Sequence, residues 1–234
     1  IAVGGDGTYS EVINGLLQAV PLNGQPVGPV GFIPFGTGND LSDMLGIPRD
    51  LDEVAAILAQ GRTTTIDLGK VNGRYFDNNS AIGLEPVVTL ENIRLTWLRG
   101  VVRYMVSALL GIAKNPSWEG EINWDGGSYR GSLTLVSVGN SRRTGGTFYM
   151  TPNASLEDGL LDFVFAPKLN RRRLLTLLPK AQNGEHIHDP AITEERTRKL
   201  TIRTTTPTPI QADGEVFELG STEIVYEILP QALK

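Results

Sequence analysis

Gly4-Gly5-Asp6-Gly7-Thr8 stands where an apolar strand tail, Ile1–Val3, gives way to the start of a helix. Glycines at such a point let the backbone approach an anion, and the unpaired N–H groups of a helix start aim at it. A carboxylate beside a phosphate would repel it. Asp6 therefore implies either a divalent cation between the two or a proton taken from an attacking hydroxyl. A plain helix cap also uses Asp, but two glycines before it and one after exceed what a cap needs. No Walker lysine is present, nor the glycine spacing of a dinucleotide fingerprint.

Gly36-Thr37-Gly38-Asn39-Asp40 repeats the idea after Phe32-Ile33-Pro34. In a parallel sheet, ligands bind outside the C-terminal strand ends, so the two loops can face one crevice. The Thr37 hydroxyl and the Asn39 amide suit a phosphate or a ribose, and Asp40 can cap a helix beginning near Leu41. Asp213-Gly214-Glu215 lies between Ile210-Gln211-Ala212 and Val216-Phe217. On a strand its two carboxylates share one face and crowd each other, which raises a pKa or recruits a cation. Both outcomes serve phosphoryl transfer; an Asp-Gly hairpin turn is the competing reading. Leu156-Glu157-Asp158-Gly159-Leu160-Leu161-Asp162 is an acidic turn entering an apolar strand. It can hold a hard cation through carboxylate and backbone oxygens, or it is a hairpin with solvated acids.

The elements around these motifs change character along the chain. Residues 1–63 alternate strand and helix: Thr8–Ala19 carries Val12, Ile13, Leu16 and Leu17 on one face, Val30–Ile33 is a strand, and Leu51–Gln60 is a helix with Asp50 as N-cap and Gly61 beyond its end. That order implies a parallel sheet with right-handed crossovers, a partial Rossmann-like domain. Residues 64–228 read as a second, antiparallel β-sandwich-like domain with helical insertions. Its hairpins are Thr65–Val71 with Arg74–Asn79 across Asn72-Gly73, and Glu119–Trp124 with Tyr129–Val138. Further strands are expected at Leu161–Ala166, Leu200–Thr205, Pro209–Ala212 and Glu223–Ile228, with a Thr/Pro-rich turn at Thr204–Pro209 and helices over Leu95–Lys114 and Asn170–Asn183. Residues 229–234 are expected to return towards the first domain.

Composition narrows the chemistry. Across 234 residues, 21 Lys+Arg against 26 Asp+Glu give a net charge of −5, which argues against a global grip on nucleic acid. Cysteine is absent, excluding disulfides and thiolate chemistry, and the two histidines, His186 and His188, read as exposed loop residues. Any metal is then held by oxygen, which favours magnesium or calcium. The most apolar stretch, Val101–Ala113, contains Arg103 and falls short of the roughly 20 residues a membrane span requires. Arg171-Arg172-Arg173 and the Trp97, Arg99, Arg103 and Tyr104 set can meet a lipid surface, or simply form a solvated face and a helix lying on a sheet. The chain opens on Ile1-Ala2-Val3 without Met, which reads as a protein missing its front.

GGDGTYSEVINGL at Gly4–Leu16 and GFIPFGTGNDLSDMLGIP at Gly31–Pro48 resemble the diacylglycerol kinase catalytic family, which includes sphingosine, ceramide and bacterial lipid kinases. The GGDG turn alone also occurs in NAD kinases and phosphofructokinases; the GTGND loop tips the resemblance to lipid kinases. The family usually continues with Phe-Ala-Arg, where this chain has Leu41-Ser42-Asp43.

The resemblance implies an ATP-dependent lipid kinase. ATP phosphates would lie on Gly4, Gly5, Asp6, Gly7, Thr8, Tyr9, Ser10, Glu11, Gly36, Thr37, Gly38 and Asn39. Glu215 resembles the catalytic base, and Asp6 with Asp213 would organise catalytic Mg2+. Pro152–Asp162 looks like the bacterial structural-magnesium segment, which makes the Asp158 side chain and the Ser155 and Leu160 carbonyls its ligands. Asn140–Gly146 resembles the family's Asn-then-Gly-Gly loop. Implied partners are ATP, a lipid and the cytoplasmic inner-membrane surface, without nucleic acid, and a homodimer is compatible. An NAD kinase-like enzyme and a non-catalytic nucleotide- or lipid-binding module are the alternatives.

Overall fold

The structure is a computed structural model that describes residues 1–20 and 22–234. Strand β1 (Ala2–Gly4) pairs in parallel with β2 (Phe32–Pro34), Ala2 opposite Phe32 and Gly4 opposite Pro34. Helix α1 (Asp6–Ala19) connects them and buries Tyr9, Ile13 and Leu17, an i, i+4 row facing the core. The buried row is thus centred one position away from the expected stripe: Val12 is exposed, and the Tyr9 ring packs on Phe32 at 4.6 Å. Helix α2 (Asp40–Met44) precedes α3 (Leu51–Gln60). The latter is capped as its sequence dictates: Asp50 accepts from the N–H groups of Asp52 and Glu53, and Gly61 closes the helix at φ +63°.

The larger part is a nine-stranded antiparallel sheet: β3 (Ile66–Val71), β4 (Arg74–Phe76), β5 (Asn79–Gly83), β6 (Trp118–Trp124), β7 (Gly127–Gly139), β8 (Leu161–Pro167), β9 (Thr193–Thr197), β10 (Lys199–Ala212) and β11 (Glu215–Leu233). The mixed class, a parallel pair beside a large antiparallel sheet, is the one expected from sequence. Strands β5 and β6 fill the same gap between β7 and β10, end to end: residues 200–204 of β10 pair with β6 and residues 210–212 with β5. Thr204–Pro209 spans that joint. It is not a turn but part of β10, with register shifts against β11 where the prolines lack an N–H to donate.

Two helices leave the sheet at the same joint, α4 (Leu84–Arg94) and α5 (Gly100–Lys114), where one helix from Leu95 was expected. Residues 95–99 connect them, and Pro86 in the first turn of α4 is tolerated because its missing N–H would be unpaired there anyway. Helix α6 (Arg171–Gln182) is capped by Asn170, which accepts from the Arg173 N–H at 2.9 Å. Beyond it, His186 is buried with Nε2 3.1 Å from the Met150 carbonyl, contrary to its expected exposure; only His188 faces solvent.

Three apolar centres result among the described residues. Phe76, Ile122, Phe163, Leu200, Ile224 and Tyr226 fill the large sheet. Leu84, Val88, Ile112, Phe148 and Leu174 pack α4, α5 and α6 onto it. Tyr9, Ile13, Phe32 and Leu41 form the third with Ala232 and Leu233 from the end of β11. There Val27 bridges Leu233 in parallel, and the Lys234 carbonyl accepts from the Val30 N–H at 2.8 Å. No helix among the described residues is long and apolar enough to cross a membrane.

Candidate active site

Both glycine loops sit at the C-terminal ends of the paired parallel strands, and they touch. A Cβ on Gly36 would lie 2.4 Å from the Gly5 Cα, and one on Gly5 would lie 2.8 Å from the Gly36 Cα, so this approach requires glycine on both sides. The Phe35 N–H donates to the Gly4 carbonyl at 2.7 Å and locks the loops together. Gly7, Thr8, Glu11, Gly36 and Thr37 face solvent, with Gly4, Gly5 and Gly38 half-buried beside them.

Three residues expected in the phosphate cradle are differently engaged. The Tyr9 and Ser10 side chains turn into the core, because the buried row of α1 begins at Tyr9; the Tyr9 hydroxyl lies 3.3 Å from Ser42 Oγ. Asn39 is buried in the left-handed region (φ +57°), and its amide is used within the loop. Its Oδ1 accepts from the Gly36 N–H at 2.9 Å, while Nδ2 donates to the Gly36 carbonyl at 3.0 Å.

Asp6 does not cap its own helix. Its Oδ1 accepts from the Leu41 N–H at 3.4 Å, at the start of α2, so the first motif braces the second. Burial and then the neighbouring Asp40 raise its pKa above the usual carboxylate range, partly offset by the backbone N–H groups of residues 39–41. Asp40 reaches away from its helix towards the loop 140–146. It accepts from Arg143 Nε at 2.5 Å and from the Gly146 N–H at 2.8 Å. Arg143 also contacts Asp43, so the loop left without a role in the sequence closes on the second glycine motif.

Asp213 and Gly214 form a two-residue hairpin turn (φ +47° and +81°) with Ala212 opposite Glu215. The turn reading therefore replaces the shared-face reading. The Asp213 carboxylate points inward and accepts from the N–H groups of Asp77 (3.2 Å), Asn78 (3.0 Å) and Asn79 (3.1 Å). Glu215 remains exposed at the turn's edge, where Arg74 Nη2 lies 3.2 Å from it and 2.7 Å from Glu11 of α1. Thus the first and last motifs, far apart in the chain, meet through one guanidinium.

Sequence reasoning did not single out the residues between them. Asp77 is fully buried, and neither carboxylate oxygen has a hydrogen-bond partner. Burial first, then the charges of Asp213 and Asp6, push its pKa well up. Asn79 is the hub of a polar cluster: Oδ1 accepts from Thr144 Oγ1 (2.8 Å) and Gln211 Nε2 (3.2 Å), and Nδ2 donates to Glu85 Oε2 (3.2 Å). The visible signal was the polar run Asp77-Asn78-Asn79 set against an apolar strand. Together Asp6, Asp40, Asp213, Asn79, Glu85 and Thr144 line a cleft of about 210 Å³.

A second cavity, almost wholly apolar, lies between α4, α5, α6 and the sheet, walled by residues such as Val88, Ile112, Phe148 and Leu174. Glu85, Tyr104 and Thr144 line both spaces, so the acidic cleft and the apolar cavity share one wall.

The turn expected to hold a structural cation lies elsewhere, over β3. Asp158 Oδ1 accepts from the Leu160 N–H at 3.1 Å, and Ser155 Oγ accepts from the Glu157 N–H at 3.3 Å. Asp67 fixes the turn by accepting from the Gly159 N–H at 2.7 Å. Among the described residues, no group of three or more Asp, Glu or His side chains is arranged to hold a metal ion. One carboxylate with backbone oxygens remains a donor set of the hard type that suits Mg2+.

Residues 79–234 match the family profile of the YegS C-terminal NAD kinase beta sandwich-like domain, and residues 1–71 that of the diacylglycerol kinase catalytic domain. The class is therefore that of the kinases that join a glycine-loop domain to this β-rich one. The chain belongs to the diacylglycerol kinase family. A diacylglycerol kinase of Bacillus subtilis (strain 168) is 33% identical over 217 residues, which cover 92% of this chain and 70% of the relative. One from Staphylococcus carnosus (strain TM300) is 30% identical, over 92% of this chain and 69% of the relative. A solved structure of a candidate diacylglycerol kinase from Bacillus anthracis str. Sterne has a TM-score of 0.76 and 26% identity, covering 99% of this chain and 74% of that one.

Proposed function

We propose that this kinase transfers the γ-phosphoryl group of ATP to the hydroxyl of a lipid, with diacylglycerol the first substrate to try. The observation that carries the reading is an acidic cleft, lined by Asp6, Asp40 and Asp213, that shares the wall of Glu85, Tyr104 and Thr144 with an apolar cavity. Residues 1–63 would bind the nucleotide, with triphosphate on Gly4–Thr8 and Gly36–Gly38. Residues 64–228 would supply the acyl-chain cavity and the Asp-Gly-Glu turn.

In the reaction the lipid hydroxyl oxygen forms a bond to the γ-phosphorus. The bond from that phosphorus to the β–γ bridging oxygen breaks, and ADP leaves. Glu215 takes the hydroxyl proton; Arg74 fixes the direction of its carboxylate. Asp6 and Asp213, which line the cleft together, would hold Mg2+ beside the phosphates, and Asp77, buried with unpartnered oxygens, stands behind Asp213. Bound magnesium would offset phosphate charge. A second Mg2+ at Asp158, with the carbonyls of Ser155 and Leu160, would brace the β-rich part.

Peripheral membrane contact is part of the same reading. Ile93 and Trp97 are 58% and 76% exposed at the end of α4 and just beyond, Ile93 lines the cleft, and Arg94 and Arg99 flank them. Apolar side chains among cations suit an anionic lipid surface. The test is mass spectrometry of a cell lipid extract incubated with the full-length protein and labelled ATP, with NAD offered in parallel. Label in a lipid supports the reading; label only in NAD, or in neither, rejects it.

A further inference from the structure

Glu85 occupies the boundary between the acidic cleft and the apolar cavity and lines both. It sits in the first turn of α4, where a carboxylate complements the helix dipole. That position explains an acidic residue, yet not its burial. Oε2 accepts from Asn79 Nδ2 at 3.2 Å and the Ser137 hydroxyl lies beside the carboxyl, whereas Oε1 is shut away from solvent with no partner in hydrogen-bond geometry. A buried polar oxygen left unpaired is costly, and such atoms in folded proteins usually await a water, an ion or a ligand. Of the other polar side chains at this boundary, Thr144 Oγ1 already donates to Asn79, and the Tyr104 ring lies tilted against Phe148 with centroids 5.4 Å apart.

We propose that Glu85 Oε1 recognises the ester group of the lipid nearest the reacting hydroxyl, by donating a hydrogen bond to its carbonyl oxygen while the acyl chain enters the apolar cavity. The inference rests on the lipid-kinase reading and adds the polar feature of the substrate that the site selects. Geometry assigns the atoms: the Asn79 amide holds Oε2 as an acceptor, leaving Oε1 to carry the acid proton. Burial raises the Glu85 pKa to about 7, so a protonated carboxyl is well populated at neutral pH. An ester carbonyl can accept that proton's hydrogen bond. The corresponding dialkyl ether lipid has the same chains and the same free hydroxyl but no carbonyl. Its match to the cavity is unchanged, and only the bond to Glu85 is lost.

The experiment compares dioctanoylglycerol with its dioctyl ether counterpart as substrates of the full-length wild-type protein and of Glu85→Met and Glu85→Gln. The wild type is expected to prefer the diester by about tenfold in kcat/KM, the scale of one hydrogen bond. Glu85→Met brings the diester down to the level of the ether and leaves the KM for ATP within about twofold. Glu85→Gln, whose amide N–H replaces the acid proton, keeps most of the preference. Equal use of ester and ether by the wild type overturns the inference, as does undiminished preference in Glu85→Met. If the wild type phosphorylates neither lipid, the kinase reading itself fails. Displacement of a fluorescent diacylglycerol by the two lipids, without ATP, then still decides whether the site distinguishes ester from ether.

Discussion

Glu11 on the first helix and Glu215 at the head of the last strand share one guanidinium nitrogen, Arg74 Nη2, at 2.7 and 3.2 Å. Arg74 lies on the short strand β4, whose neighbour Tyr75 is tied to α1 by a hydrogen bond from its N–H to Asn14 Oδ1 at 3.0 Å. The position of the proposed base therefore depends on the helix that follows the first glycine loop. Arg74→Met leaves Glu215 without this anchor. Its kcat is expected to fall about tenfold, or ~1.4 kcal/mol in the barrier, with little change in the KM for ATP. Steady-state kinetics with both substrates varied checks this.

The closeness of Gly5 and Gly36 leads to a second expectation. Gly36→Ala places a Cβ 2.4 Å from the Gly5 Cα, a backbone atom, and 2.8 Å from Asn39 Oδ1. Overpacking of this kind costs ~1–3 kcal/mol. Lower thermal stability and a raised KM for ATP should appear together, by calorimetry and by initial rates.

Asp40 supports a third. It is buried, and its carboxylate carries Arg143 and the Gly146 N–H, joining the second glycine loop to the loop 140–146. Removing one partner of such a pair leaves the other charge badly placed, at ~3 kcal/mol. Asp40→Asn should show that loss in urea unfolding, without a change in m-value.

Glu85 gives a signed dependence on pH. Its pKa rises on folding from 4.5 to about 7, so between those values the folded state binds more protons than the unfolded state. Stability consequently falls as pH rises from about 4.5 to 7 and levels off above, a contribution of ~3 kcal/mol that Glu85→Gln removes. Unfolding free energies of the two proteins across that range should converge at low pH and separate towards pH 7, the variant being the flatter.

Magnesium supplies a fourth measurement of stability. Mg2+ is expected to raise the melting temperature of the wild type by mass action and to have a smaller effect on Asp158→Ala. Equal shifts would remove the structural cation from the turn 155–160.

What the sequence made readable was local. Asp50 and Gly61 bound their helix because cap and stop lie within a turn of the residues they serve. Asn72-Gly73 closes a hairpin because both residues tolerate positive φ. The two glycine motifs were legible as loops, but their mutual contact was not. Asp213 and Glu215 misled the face argument: alternation holds within a strand, and the chain reverses between these two residues. His186 was read as exposed because its neighbours are polar, whereas the fold brings Met150 over it. Asp77 and Glu85 acquire their meaning only from burial, a property of the tertiary arrangement. The Leu84–Arg94 helix was missed because Pro86 and the β-branched Val87-Val88 pair speak against helix when read alone.

Single-turnover transfer from labelled ATP to diacylglycerol, wild type beside Glu215→Gln, addresses the proposed chemistry most directly. The wild type should form labelled phosphatidic acid, and the variant should bind ATP with similar affinity yet form almost none. Transfer by Glu215→Gln at the wild-type rate would contradict the assignment of the base and, with it, the role given to the Asp-Gly-Glu turn.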